Sequence, residues 1–225
     1  MFMSKTLLLT LLLTAPLAFL GCNAEGEDLN KVLPKLIDEW KGPGNVEAAA
    51  GMFNADNPDI RRISVAHISK KQWGHEPPYM KAYRQLATDP QPLVRGQAML
   101  ALGSSGQADV ADVLITGLGD TSPLVRRDAA AALKDITNPA AIDPLLEHLK
   151  NDPDAQTRVF CAQALRNYST PRTILGLAQA LDDKDAAVIE WSWKSLTQIT
   201  GKDWSKTDSR PWLEYAQSLA KPAPK

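Results

Sequence analysis

The chain has 225 residues, 44% of them hydrophobic, with 25 Lys and Arg against 26 Asp and Glu, a formal net charge of −1. That balance excludes the basic excess on which nucleic-acid binding draws. The two cysteines, Cys22 and Cys161, give no disulfide framework, so stability has to come from packing, which a chain of this length can supply.

Residues 1–21 carry one charge, Lys5, and then an apolar stretch from Leu7 to Leu20 interrupted by Thr10, Thr14 and Pro16. The pattern is that of a cleaved secretory signal and not of a membrane span. It closes on Ala18-Phe19-Leu20-Gly21-Cys22, which resembles the lipobox of bacterial lipoproteins. The resemblance implies lipidation of Cys22 and a membrane anchor, since several acyl chains bind where one is marginal. Ordinary export with cleavage after Ala24 is the other reading. Asn23 resembles the residue that follows the cysteine in outer-membrane lipoproteins, which implies the periplasmic face of the outer membrane. Residues 22–28 are a short tether, and removal of residues 1–21 leaves 24 basic and 26 acidic residues.

Leu29 to Trp40 reads as an amphipathic leading helix through Leu33, Leu36, Ile37 and Trp40, closed by Lys41-Gly42-Pro43-Gly44, so that 29–44 forms an N-terminal cap. From there a block recurs at steps of 34, 31, 32 and 31 residues, starting at Asn57, Gln91, Ser122, Asp154 and Asp185. Recurrence at this period means stacked supersecondary units. Each block opens a helix, with the capping residues Asn, Ser or Asp at all starts but Gln91 and often a following Pro, and continues with apolar residues at i, i+4, i+7 and i+8, as in Val125, Ala129, Ala132 and Leu133. A second stripe (Val110, Val113, Leu114, Leu118) returns at Ile142 and at Ile174. No segment alternates with period two, so the expected fold is an all-α solenoid of about five helical hairpins over 45–200. The segment 201–220 forms a C-terminal cap, and 221–225 is a disordered tail.

The Asp-containing turn, Pro, Val-Arg and Ala-rich helix ending in Ala-Leu resemble HEAT repeats, in particular the short HEAT-like or phycobilin-lyase-type repeats of bacteria. The resemblance implies a scaffold architecture and leaves function open, because similar repeats build adaptors and some enzymes. One such enzyme is deoxyhypusine hydroxylase, an iron enzyme with several His-Glu pairs on helices. Here His75-Glu76, in a loop, is the one such pair, and His67 and His148 are scattered. No metal site, cofactor or catalytic group is therefore expected, and the chain is expected not to be an enzyme.

Three groups remain as candidate sites. Arg95, Arg126 and Arg158 share one column, six residues after Asp89, Asp120 and Asp152; they form either a row for an anionic ligand or a structural ladder of charge-assisted bonds. Trp191 and Trp193 lie about 200° apart on their helix, so one needs a partner outside the core. With Trp204, Trp212, Tyr215, Lys194 and Arg210 they form either a covered cap or an exposed platform for a glycan or peptide. The inserted segment Ser69–Pro78, with Trp73 and then Tyr79, is a second candidate contact or a plain connector. Cys161 reads as a buried, inert thiol.

The resulting expectation is a monomeric envelope lipoprotein whose solenoid docks another envelope protein. Its binding wall is made by the second helices, with solvent-facing positions at Gln97, Arg127, Asp128, Gln163 and Lys194. The alternative is a module for envelope polysaccharide or peptide at the aromatic end. No nucleic acid is expected as partner.

Overall fold

A computed structural model describes residues 48–220. The signal segment, Cys22, the tether, the leading helix and the tail after 220 lie outside the described residues. Within them every regular element is helical, which gives the all-α class expected from the pattern. The chain divides into two compact units that meet between Ala101 and Leu102, inside a helix.

The first unit holds a helical turn at 48–51, α1 (Pro58–Ile68), α2 (Pro77–Leu86) and most of α3 (Pro92–Gly103). Helix α1 starts where Asn57 turns its side-chain oxygen to the N–H groups of Asp59 and Ile60, with Pro58 at the first position. The expected loop at Ser69–Pro78 is more ordered than the sequence indicated. It contains a 3₁₀ turn, Gln72–His75, and Pro77 begins α2 at once because its fixed φ suits a helix start. Met52, Val65, Ile68, Tyr79 and Tyr83 fill the core of this unit.

The second unit continues through α4 (Ala111–Leu118), α5 (Pro123–Leu133), α6 (Ile142–Asn151), α7 (Ala155–Leu165), α8 (Pro171–Gln179), α9 (Ala186–Thr200) and α10 (Arg210–Ala220). The first helices of the hairpins, α5, α7 and α9, pack side by side, and α6, α8 and α10 form a second layer. The small-residue column explains the close approach of the first layer. Val125, Ala129, Leu133, Thr157, Cys161, Ala164 and Leu165 are fully buried. A Cβ added at Gly103 would come within 2.5 Å of the Ala132 Cβ. Ser195 Oγ donates to the Ala162 carbonyl at 2.8 Å, tying α9 to the first helix of the hairpin before it.

The capping expectation fails at one position. Asp154, Thr170 and Asp185 cap their helices with side-chain oxygens, but the Ser122 side chain does not. The turn is instead closed by Asp120, whose Oδ1 accepts the Ser122 N–H at 2.8 Å. Helix α9 ends at Gly201, whose φ of 68° is left-handed and suits glycine, and the chain then folds back into α10.

Candidate functional site

The arginine column forms a set of two-sided clamps. Arg126 donates through Nε and an Nη to both oxygens of Asp152 at 2.8 and 2.9 Å, and its other Nη bonds the Asp120 carbonyl at 3.0 Å. Arg158 repeats this with Asp183 at 2.8 and 2.9 Å and with the Asp152 carbonyl at 2.8 Å. Each carboxylate also accepts the N–H two residues on, at Asp154 and Asp185. Thus the acid six residues before each Arg supplies a carbonyl, while the paired carboxylate lies in the following turn. Arg95 bonds the Asp89 carbonyl at 2.9 Å.

Arg61 is a member the sequence reading missed. It grips Asp89 at 2.7 and 2.9 Å and the Asn54 carbonyl at 2.8 Å. Its signal was available, because Arg61 precedes Arg95 by the same 34-residue step; Ala55 stands where an acid precedes the others. Burial pushes the Asp152 carboxyl up, but hydrogen bonds from Arg126, the Asp154 N–H and His148 outweigh it and hold it below the ordinary range. Fork-to-fork pairs of this kind fix geometry, and these consume the guanidinium donors that an anionic ligand would need.

At the C-terminal end the aromatic rings bind each other. Trp193 Nε1 donates to the Trp204 carbonyl at 2.7 Å, and Trp212 Nε1 donates to the Ser205 carbonyl at 3.1 Å. The Trp204 ring meets Trp212 and Tyr215 edge to face, with centroids 5.1 and 5.8 Å apart. Lys202 Nζ lies over both Trp204 and Tyr215, at 4.8 and 4.7 Å. Lys194 covers Trp191 at 4.7 Å while also pairing with Glu190, and Arg210 pairs with Asp208. Trp212 is fully buried and so offers no surface to a ligand. The same holds for Tyr79, 1% exposed, whose ring packs on Trp73 at 5.1 Å.

The positions assigned to the second-helix wall need correction. Gln97, Arg127, Asp128, Gln163 and Lys194 lie on first helices, α3, α5, α7 and α9, and Gln163 is buried. They follow the arginine column by one to five residues, so they turn with that helix and not with its partner. Burial also pushes the Asp128 carboxyl up to about 6, against the attraction of Arg127. A raised carboxyl favours folding only while protonated, so its penalty grows as pH rises from the ordinary carboxylate range through about 6. Asp128→Asn is therefore expected to raise the thermal midpoint at pH 7.5 and to leave it unchanged near pH 3.5, as calorimetry at the two pH values would record.

The wall made by second helices does contain a groove, of about 480 Å³, between α6 and α8. Leu146, Leu149, Leu175 and Gly176 give it an apolar floor. At its rim Arg172 pairs with Asp143 at 2.7 Å, and Glu147, Lys150 and Gln179 stand exposed. The groove was not legible in the sequence, because it depends on how far α6 and α8 stand apart.

Cys161 is free and buried, and burial pushes its thiol up. The histidines are dispersed. His75 Nε2 lies 3.0 Å from the Ser69 carbonyl, His148 Nδ1 lies 2.9 Å from Asp152, and Glu76 precedes α2 as its cap residue.

Comparison with known proteins adds three findings. The family described as HEAT repeats matches residues 46–134, 80–158 and 142–216. Deoxyhypusine hydroxylase of Drosophila melanogaster is 30% identical over 122 residues, 53% of this chain and 40% of that protein. Deoxyhypusine hydroxylase-B of Oryza sativa subsp. japonica is 29% identical over 131 residues, 57% of this chain and 43% of that protein. The chain thus spans about two fifths of the length of these relatives. The crystal structure of an engineered protein from the Northeast Structural Genomics Consortium has a similar fold, with a TM-score of 0.52 at 16% identity over 85% of this chain and 97% of that one.

The relatives overturn the expectation that the chain is not an enzyme, because proteins about 30% identical carry an enzyme's name. Among the described residues no three His, Cys, Asp or Glu side chains gather in a way that could hold a metal ion. With three overlapping matches running from residue 46 to 216, and hairpins stacked as the repeating blocks require, the chain belongs to the HEAT-repeat family.

Proposed function

We propose that this chain is an envelope lipoprotein, anchored through Cys22, whose short phycobilin-lyase-type HEAT-like repeats dock another envelope protein along the second-helix wall. The observation that carries the reading is the groove between α6 and α8, which joins an apolar floor to an ionic rim on a scaffold stiffened by the arginine clamps. Such a surface suits an extended segment with apolar side chains. The lipobox-like Ala18 to Cys22 supports the anchor, and among the described residues no helix is long and apolar enough to cross a membrane. The aromatic end supports polysaccharide binding less well, since its own lysines already occupy the Trp191 and Trp204 rings.

The test is Gln179→Trp, which fills the mouth of the groove from an exposed position. The variant is expected to keep its thermal midpoint and to lose the membrane protein that co-purifies with the unaltered chain. Undiminished co-purification would move the docking site elsewhere. Cys22→Ser should abolish acylation, read as the mass of the mature chain.

A second reading rests on the relatives' names: an activity of the deoxyhypusine hydroxylase type. Hydroxylation of a deoxyhypusine-bearing protein by the purified chain with added ferrous iron would support it.

A further inference from the structure

Three lysines of the C-terminal end lie over aromatic rings, and one of them is held by rings alone. Lys194 over Trp191 and Lys206 over Trp193 also pair with Glu190. Lys202 differs. Among the described residues its ammonium makes no hydrogen bond and no ion pair, and its partners are the Trp204 ring at 4.8 Å and the Tyr215 ring at 4.7 Å. Both distances are inside the roughly 6 Å reach of a cation–π contact. Asp203 and Glu214 stand next to these two residues in sequence, both exposed, yet the ammonium pairs with neither.

The two rings form a corner that is built by the rest of the cap. Their planes stand at 85° with centroids 5.8 Å apart. Two indole N–H groups fix the backbone that carries Trp204: Trp193 Nε1 bonds the Trp204 carbonyl, and Trp212 Nε1 bonds the Ser205 carbonyl. The fully buried Trp212 ring meets Trp204 at 5.1 Å, and Tyr215 follows Trp212 by three residues on α10, so one buried side chain seats both rings. Trp204 and Tyr215 are themselves half-buried, which leaves each ring partly open to solvent.

The chemistry of the corner selects among cations. Ring faces attract positive charge but satisfy N–H donors poorly. A primary ammonium or a guanidinium gives up water there without gaining good acceptors, whereas a quaternary ammonium has no N–H to satisfy and packs its methyl groups on the rings. We infer that Trp204 and Tyr215 form a binding site for a quaternary ammonium group of the choline type, and that Lys202 is the chain's own occupant, displaced when the ligand enters. A sugar, by contrast, would meet rings already faced by a cation. No residue lining the groove between α6 and α8 belongs to this corner, and the inference is independent of the docking reading.

Nuclear magnetic resonance on the full chain, as processed by the host and held in a maltoside detergent, tests it with choline chloride. In the free chain ring currents should move the Lys202 ε-methylene protons upfield, and choline should return them toward the position of a free lysine while the Lys194 signals stay in place. This measurement needs no variant. Lys202→Ala, which empties the corner, is expected to bind choline tighter than the unaltered chain by about tenfold or more, and a further Tyr215→Leu should remove that gain. Neohexanol, the uncharged carbon isostere of choline, should bind Lys202→Ala more weakly than choline does by about the same factor. Flotation of the Cys22→Ser, Lys202→Ala chain with phosphatidylcholine but not phosphatidylglycerol vesicles would assign the group to a lipid headgroup, and choline binding without flotation would assign it to a soluble ligand. Three results would overturn the inference: Lys202 signals that choline leaves unmoved, neohexanol that binds as well as choline, or choline binding that survives loss of the Tyr215 ring.

Discussion

Arg126→Ala is expected to lower the unfolding free energy by about 3–5 kcal/mol, the usual effect of removing one partner of a buried ion pair. The carboxylate left behind is the reason. Asp152 has a side chain only 1% exposed, and without Arg126 it keeps just His148 and the Asp154 N–H as partners. The loss should depend on pH with a defined sign. The Asp152 carboxyl is held below its ordinary range in the folded chain, so its contribution is present above that range and fades as pH falls through the folded value. Urea unfolding at pH 7 and at pH 3 should therefore give a large difference between variant and parent at the first and a smaller one at the second. A difference that grows on acidification would mean that Arg126 acts through something other than this pair.

Trp212→Ala is the other large effect, at about 3–5 kcal/mol, the cost of truncating a buried Trp. Trp212 is the largest fully buried side chain of the C-terminal cap and meets Trp204 edge to face while bonding the Ser205 carbonyl. Its removal unseats α10, which packs along α8. Exchange of the α8 and α10 amides should rise ahead of that of α5. If the variant melts as one unit with no local opening, the cap is not a separable element.

The architecture was legible because it rests on local and repeated signals: a capping residue, a proline and an apolar stripe that returns every 31 to 34 residues. Such signals survive without knowledge of the tertiary fold, since each hairpin repeats the same burial problem. What escaped depends on neighbours distant in sequence. Arg61 was not read as a clamp because the reading tied each arginine to an acid six residues before it, whereas the carboxylate it grips, Asp89, comes 28 residues later. Gln163 reads as a surface glutamine by type, yet its helix is hemmed in by α5, α6 and α9 and it is buried. The 200° between Trp191 and Trp193 led to the expectation that one of them needs a partner outside the core. Trp193 meets the Trp204 carbonyl, which the fold-back at Gly201 brings within reach, whereas Trp191 is covered by the Lys194 ammonium of its own helix.

The single His-Glu pair, His75-Glu76, pointed away from an enzyme, and the relatives' names point back toward one. The two are compatible at the level of fold, because a repeat scaffold can be shared while the residues set upon it differ.

The central claim is that the second-helix groove binds another protein at the membrane, and photo-crosslinking tests it most directly. A crosslinker at Glu147, on the rim of the groove, in native membranes should give one recurrent protein adduct that a crosslinker at Thr207, outside the groove, does not. The same adducts from both positions, or none from Glu147, would contradict it.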